Sequence, residues 1–235
     1  MAAILIPPQG TKVGISSSIG TTWAFLTNGT SITDPTGERA KVVSASTNDT
    51  SAGTGMQKVR IRYFDTNWIL NDEIVTLNGT TSVLTVATNI LRIDSFEAFQ
   101  AGVFTTALGT ITLTSTDGTR TFAQIDPFTT EFTRAIHTVS PGKIGNMVDI
   151  SVNCTSAGGI IFSIFKEVDN TASGGGIVSI PDMIFSALNN AVTLSMSIPL
   201  TCDATRSTVG LRMGVAVKGL VATQVGSASF HYSES

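Results

Sequence analysis

The chain has 235 residues and a formal net charge of −3, with charged side chains at 13% of positions and hydrophobic residues at 42%. A disordered chain needs high net charge and few strand-forming residues, and phosphate binding needs a basic patch, so this composition argues against both classes. Globular domains average roughly 25% charged residues, and Thr, Ser and Gly fill the difference here. Strands that carry hydroxyls instead of ions are poorly protected against association, so we expect neighbouring subunits to cover many of them.

Residues 1–40 have weak periodicity and several Pro and Gly residues, which predicts an N-terminal arm with short strands at Gly14–Ser18 and Thr22–Leu26. Such an arm either docks on a neighbouring subunit or frays as a terminus. The short apolar run Met1–Pro8 lacks the basic leader of a secretory signal. No stretch approaches the ~20 apolar residues of a membrane span. We therefore expect synthesis in a cytoplasm and no membrane partner.

The stretch Gly53–Thr85 has the clearest strand pattern. Apolar and basic residues alternate with a period of two before the turn sequence Asp65-Thr66-Asn67, as a half-buried strand requires. A second alternating run follows and ends at Asn78-Gly79, a strong hairpin signal because a type I′ turn needs positive φ at both central residues. We predict a three-stranded antiparallel meander whose strands end before the first turn, at Leu77 and at Val86.

Short strands bounded by turn residues continue along the rest of the chain, including a hairpin around Asp117-Gly118. Asp126-Pro127-Phe128 is the best boundary between two sets of strands. This pattern predicts an all-β fold of two tandem antiparallel β-sandwich domains, of jelly-roll or immunoglobulin-like type. The predicted division is an arm at residues 1–40, a first β domain at 41–126 and a second at 127–235.

Two local features have alternatives that the sequence leaves open. The apolar residues within Asp182–Asn190 have helical spacing, so this segment is either a short helix or part of a strand. Cys154 and Cys202 are expected to be buried thiols, since cytoplasmic proteins rarely hold structural disulfides. A disulfide between neighbouring strands is the alternative.

No residue pattern indicates catalysis or metal binding. A nucleophile needs a nearby base, and His137 and His231 are better explained as packing residues, while a G-x-S-x-G elbow is absent from the sequence. The cysteines and histidines lack metal-ligand spacing. Asp169-Asn170 before three glycines lacks both the acidic residues of a calcium loop and the Lys-Ser/Thr of a phosphate cradle. We predict a protein without enzymatic activity, cofactor or metal.

The aromatic residues around the first turn are the best candidates for an interface. Trp68 follows the turn at the start of a strand, where an intersubunit contact or a sugar platform could be built, and packing within the sheet is the alternative. In a bound subunit, Trp68 together with Tyr63 and Phe64 is the first place to expect a contact. Trp23 is a further interface candidate.

A family resemblance rests on the run GTGMQKVRIRYFDTNWILNDEIVTLNGTTSVLT followed by ATNILRID, on Thr138–Lys143 (TVSPGK) and on the strand pair Leu211–Val217 and Ser227–Tyr232. In these features, over roughly residues 41–235, the chain resembles virion proteins of tailed phages, especially marine ones. It departs from them at Thr201–Thr205, where the family has a Pro-Lys-Ser/Thr-Asp run. The resemblance implies a structural component of a phage particle and carries no catalytic residues.

The function expected from the resemblance is that of a non-enzymatic structural protein of a tailed-phage virion on the head, neck or tail, with a capsid decoration or cement role favoured. We expect synthesis in the bacterial host cytoplasm and assembly as a symmetric trimer or ring. The expected partners are other copies and major capsid, tail or neck proteins, with no nucleic acid. The alternative is a receptor- or carbohydrate-binding fibre module, which requires exposed aromatic residues clustered at one loop end.

Overall fold

The computed structural model describes residues 9–19, 24–25, 27–28, 32–154, 160–167, 177–187, 192–196, 200–204, 210–220 and 224–235. Within these ranges the chain is all-β and its strands pair antiparallel in several sheets. The predicted fold class is therefore confirmed. A helix long and apolar enough to cross a membrane is not found in these ranges.

The strands in chain order are β1 (Gln9–Ile19), β2 (Ala24–Phe25), β3 (Ala40–Ser44), β4 (Met56–Asp65), β5 (Leu70–Thr76), β6 (Val83–Leu84), β7 (Ile90–Ala101), β8 (Ile111–Ser115), β9 (Thr121–Ile125), β10 (Ile136–Val139), β11 (Ile144–Cys154), β12 (Ile160–Glu167), β13 (Ile177–Ala187), β14 (Val192–Met196), β15 (Leu200–Asp203), β16 (Leu211–Gly219) and β17 (Gln224–Glu234). Their contacts divide the chain into two compact units. The central unit is residues 28–132, and the split unit is residues 1–27 together with 133–235.

The central unit contains a sheet of order β6-β3-β8-β9 and a sheet of order β5-β4-β7. Alternate residues of β4, among them Val59, Ile61 and Tyr63, are buried in one apolar core with residues of both sheets. The predicted turn at Asp65 joins β4 to β5, and the predicted turn at Gly118, with φ of 79°, joins β8 to β9. Strand alternation and turn chemistry therefore specify most of this unit.

The predicted meander is wrong in its third strand. Strand β4 pairs with β5 and β7, whereas β6 pairs with β3 in the other sheet. Gly79 has the positive φ that the Asn78-Gly79 signal demands, but its N–H donates to the Asp49 carbonyl over 2.8 Å and its carbonyl accepts from the Ser44 N–H over 3.0 Å. These bonds direct the chain into the sheet of β3 instead of closing a hairpin.

The split unit contains two five-stranded sheets. One has the order β1-β17-β11-β14 with β15 also paired to β11, and the other has the order β10-β16-β12-β13 with β2 paired to β16. A single apolar core holds residues from both sheets, including Val152 and Phe230 of the first and Phe162 and Val215 of the second. This arrangement is a β-sandwich whose strands come from both ends of the chain.

The division by contacts differs from the predicted domain boundaries. The sequence set residues 1–40 apart as an arm and placed the later boundary at 126/127, whereas the contacts join residues 1–27 to 133–235. Strand β1 pairs with β17, from Gln9 opposite Ser233 to Ile19 opposite Gln224. Such long-range pairing has no signature in the local pattern of either strand, because each alternation predicts a strand but not its partner.

The structure decides both features that the sequence left open. Residues 182–187 belong to β13, where Phe185 pairs with Phe162 of β12, so a helix there is wrong for these residues. Cys154 ends β11, while the buried Cys202 pairs with Gly145 near the start of the same strand. At about 3.3 Å per residue the two cysteines are roughly 25–30 Å apart, far beyond the Cα separation of about 7 Å that a disulfide tolerates.

Candidate functional site

Four exposed apolar side chains lie on β7 and two neighbouring loops of the central unit, and we call them the apolar loop cluster. Their exposed fractions are 51% for Phe99, 84% for Val103, 57% for Phe104 and 75% for Phe128. Single exposed apolar residues are ordinary, but several on adjoining loops define a candidate interaction site. Local sequence patterns do not reveal this feature, because they single out mainly the aromatic residues around the first turn.

Backbone hydrogen bonds hold the loops of the cluster side by side. The Phe128 N–H donates to the Ala107 carbonyl over 2.8 Å, and the Ala107 N–H donates to the Thr129 carbonyl over 3.1 Å. On the other side, the Phe104 N–H donates to the Thr54 carbonyl over 3.0 Å. The backbone of these loops is therefore held by the fold, so little backbone entropy is left to lose on binding.

Two residues at the cluster have a backbone conformation that side chains disfavour. Phe128 has φ of 63° and Thr105 has φ of 58°. Phe128 occupies a turn in which the Thr129 N–H donates to the Asp126 carbonyl over 3.2 Å, at a position where glycine is the usual residue. A side chain in the left-handed region costs roughly 1–2 kcal/mol. The strain and the exposure together make the Phe128 ring the first candidate for a contact in this cluster.

A buried carboxylate anchors the base of the loop that carries Phe104. Asp49 is fully buried, and its oxygens accept hydrogen bonds from four donors. The donors are the Ser44 hydroxyl at 2.6 Å, the Met56 N–H at 2.8 Å, the Leu108 N–H at 3.0 Å and the Gly109 N–H at 3.0 Å. The carboxylate thus ties β3, β4 and the loop before β8 together, which gives the loop a rigid base.

The predicted interface candidates occupy different environments. Tyr63 and Phe64 are buried in the chain and belong to its packing. Trp68 is half-buried, with its ring centroid 6.2 Å from that of Phe64 and 5.4 Å from the Arg92 guanidinium carbon. Trp23 lies outside the described residues.

Trp68 has surroundings like those of the apolar loop cluster. Its φ is 60°, and the loop that holds it is closed by the Asp65 carboxylate, which accepts hydrogen bonds from the N–H groups of Asn67 and Ile69. Ile69 and Leu70, which follow it in the chain, are exposed, and so is Ile74 further along β5, beyond the exposed Asp72. This second apolar surface lies at the turn that the sequence selected, and its aliphatic residues were not among the predicted site residues.

The buried Tyr63 carries an altered acidity. Its pKa is raised, first because burial disfavours the phenolate and then because the carboxylates of Glu73, Asp65 and Asp72 repel it. A neutral phenol is consistent with a packing role.

The outer face of the sheet that contains β1 and β17 in the split unit is poor in ions. Strand register and exposure place uncharged residues along β1, β17 and β11 on this face. Its described positions on β1, β11 and β17 include Thr11, Val13, Ile15, Asn146, Ser151, Asn153, Val225, Ser227, Ser229, His231 and Ser233. None of these is Asp, Glu, Lys or Arg, whereas on β15 the exposed Asp203, opposite Ile144, lies on the same face. Hydroxyl, amide and aliphatic side chains therefore outnumber ions on this face.

The outer face of β4 in the central unit is different. Lys58, Arg60 and Arg62 are partly exposed there, and the Arg60 guanidinium pairs with the Glu97 carboxylate, its Nε lying 2.8 Å from Oε1. Such a face is compatible with solvent. The two sheet faces therefore differ in their content of charged side chains.

A buried polar contact of the split unit joins its two sheets. His137 of β10 and Glu234 of β17 are both buried, with Nε2 and Oε1 2.7 Å apart. The His137 ring also stacks on Tyr232 with centroids 3.6 Å apart. Among the described residues, groups of three or more His, Cys, Asp or Glu that could hold a metal are not found.

Comparison with family models gives no match, and comparison with curated proteins gives none either. Among solved structures, the chain is similar to one from the T13 IBDV viral particle, with 8% identity, a TM-score of 0.30 and coverage of 98% of this chain and 70% of that one. It is similar to the CBM22-1-CBM22-2 tandem domain of Paenibacillus barcinonensis Xyn10C, with 11% identity, a TM-score of 0.28 and coverage of 95% and 91%. A third similarity is to the infectious bursal disease virus VP2 subviral particle, with 11% identity, a TM-score of 0.27 and coverage of 100% and 73%. Similarities this weak carry no argument about function.

Proposed function

We propose that this chain is a non-enzymatic structural subunit of a tailed-phage particle, of capsid decoration or cement type, that assembles with other copies and with shell, neck or tail proteins. The observation that carries the proposal is the apolar loop cluster, in which Phe128 is exposed, conformationally strained and fixed by hydrogen bonds. Interfaces draw most of their binding energy from a few such anchors. The ion-poor sheet face of the split unit supports the same role.

The mechanism follows from the low cost of burying these surfaces. An apolar ring gains roughly 25 cal/mol per Å² when it is removed from water, and hydroxyl groups form hydrogen bonds across a contact without the desolvation penalty of ions. Each contact is modest. Repetition around a symmetric particle multiplies modest contacts into stable attachment.

Purified particles of the virus that encodes the chain provide the test. Quantitative mass spectrometry of those particles should detect the chain at a fixed copy number, and the Phe128→Ala variant should be incorporated at lower occupancy. Val86→Ala is the matched control, because Val86 is 81% exposed and lies outside the cluster. Absence of the wild-type chain from the particles would overturn the proposal. Equal occupancy of Phe128→Ala and Val86→Ala would show that the apolar loop cluster does not contribute to attachment.

A receptor- or carbohydrate-binding fibre module is the second candidate, and one observation favours it. That function requires exposed aromatic residues at one loop end, and Phe104 and Phe128 are exposed on adjoining loops. Phenylalanine lacks the polar tip that Trp and Tyr offer to a wet ligand, which favours the assembly role. A glycan array probed with the wild-type chain and Phe128→Ala separates the two, since only a sugar-binding module shows a signal that the variant loses.

A further inference from the structure

Strand β1 is the edge strand of its sheet in the part of the chain that the structure describes. It pairs on one side with β17, in eight consecutive pairs from Gln9 to Ser16, and the register shifts only between Ser16 and Ile19. Edge strands offer a row of backbone donors and acceptors to any other strand. A regular edge of this length is therefore a template for pairing with another chain.

The usual protections of an edge strand are sparse here. Strand β1 has eleven residues and no proline, whereas protected edges are short or carry Pro and charges. Its single charged residue, Lys12, places its ammonium 5.9 Å from the Tyr232 ring centroid, and Tyr232 packs against the core. Val13 and Ile15, on the opposite face, are 36% and 47% exposed.

The sequence of β1 is compatible with pairing to itself. A two-fold axis perpendicular to the sheet keeps every side chain on its own face. The axis therefore lies midway between the two copies of one residue, which face each other, and every facing pair is either inward or outward. We name the axis by that residue. An axis at Lys12 would set two ammonium groups opposite each other, which is unfavourable. An axis at Val13 sets Lys12 opposite Gly14, and an axis at Gly14 sets Val13 opposite Ile15. Both of the latter bring exposed aliphatic side chains together without a like-charge pair.

We propose that β1 pairs antiparallel with β1 of a second copy about a two-fold axis at Val13 or Gly14, which joins the two five-stranded sheets into one of ten strands. The ion-poor outer face then continues across the junction. The inference deepens the proposed assembly role by naming one self-contact of the subunit, and it rests on that role for its purpose in a particle.

The size of the contact sets its strength. Eight paired residues extend over about 27 Å, and an edge contact of that length falls at the low end of specific interfaces, below about 1,200 Å² in total. We expect a dissociation constant on the order of micromolar or weaker, which is suited to a subunit that gains avidity from many copies.

Sedimentation velocity over a wide concentration series tests the pairing. The wild-type chain should pass from monomer to dimer, and Val13→Lys should weaken dimerisation by about tenfold or more. With the axis at Val13 the substitution sets two ammonium groups opposite each other, and with the axis at Gly14 it sets an ammonium group opposite the aliphatic Ile15 of the second copy. Leu84→Lys is the matched control, since Leu84 is an exposed strand residue of the central unit. A wild-type chain that stays monomeric throughout overturns the inference, and so does a dimer that Val13→Lys leaves intact.

Cross-linking identifies the axis. Under mild oxidation, Val13→Cys alone gives a disulfide-linked dimer when the axis passes through Val13, and a mixture of Val13→Cys and Ile15→Cys gives a mixed dimer when it passes through Gly14. Absence of both products, with the wild-type chain as the background control, contradicts the pairing. A dimer lost in Phe128→Ala and kept in Val13→Lys assigns the self-contact to the apolar loop cluster instead. Incorporation of Val13→Lys into particles at wild-type occupancy leaves the proposed function standing when this inference fails.

Discussion

The imidazole of His137 and the carboxylate of Glu234 form a buried pair, with Nε2 and Oε1 2.7 Å apart, that links one sheet of the split unit to the other. The contact is a single hydrogen bond between Nε2 and Oε1, made where both side chains are removed from water. Glu234 lies one residue from the end of the chain, next to Ser235, whose N–H and carbonyl both pair with Ile144 at 3.0 Å. The terminal strand is thus fastened by a side-chain pair and by its ladder.

We predict that His137→Ala destabilises the fold by about 3–5 kcal/mol, because it leaves a buried carboxylate without this partner. Urea unfolding followed by circular dichroism measures the change. The exposed His231 supplies the control, since His231→Ala should change stability by less than about 0.5 kcal/mol. Replacing both members, as His137→Leu with Glu234→Leu, should cost less than His137→Ala alone, and a larger loss would argue against an uncompensated charge as the cause.

Asp49→Asn should destabilise the central unit by about 2–4 kcal/mol. The amide replaces one accepting oxygen by a donor, which then faces the N–H and hydroxyl donors that surround Asp49 and leaves them unsatisfied. The midpoint of urea unfolding is again the measurement, with the exposed Asp72→Asn as a control for the charge change. Equal midpoints for the two variants would show that the carboxylate is not the anchor of the loop.

Local sequence rules predicted the elements whose cause is local. The alternation before Asp65 and the Gly118 turn are specified by neighbouring residues, and the structure has both. The prediction of the third strand of the meander failed because the backbone of Gly79 is hydrogen-bonded to that of Asp49 and Ser44, which are distant in sequence. The exposure of Phe128 was not predictable either, since phenylalanine is normally buried and the composition does not indicate which phenylalanine is exposed. Its signal, a proline followed by a bulky residue at a turn position that prefers glycine, indicates strain only once the turn is known.

The raised pKa of Tyr63 predicts a stability that falls at alkaline pH. A group whose pKa is higher in the folded chain than in the unfolded one contributes stability below its unfolded value, near about 10, and loses it as the pH rises through the folded value. Burial is the main cause, followed by the charges of Glu73, Asp65 and Asp72. In Tyr232→Phe, where Tyr63 is the sole tyrosine, the phenolate absorbance should appear above the ordinary range of a tyrosine. Titration at the ordinary value would contradict the burial of its hydroxyl.

Phe128 should show opposite effects on stability and on assembly. Phe128→Gly removes the left-handed strain of about 1–2 kcal/mol and adds about 0.5–1 kcal/mol of chain entropy to the unfolded state, so the variant should be more stable by roughly 0.5–1 kcal/mol. Phe128→Ala keeps the strain and removes only a ring that is 75% exposed, so its unfolding midpoint should stay close to that of the wild-type chain.

Both variants should attach to particles with the same reduced occupancy, because both lack the ring. This combination separates a functional cause from a structural one, since a loss of attachment caused by misfolding would follow stability and spare Phe128→Gly. A more stable Phe128→Gly that attaches as well as the wild-type chain would mean that the strain at Phe128 serves no contact.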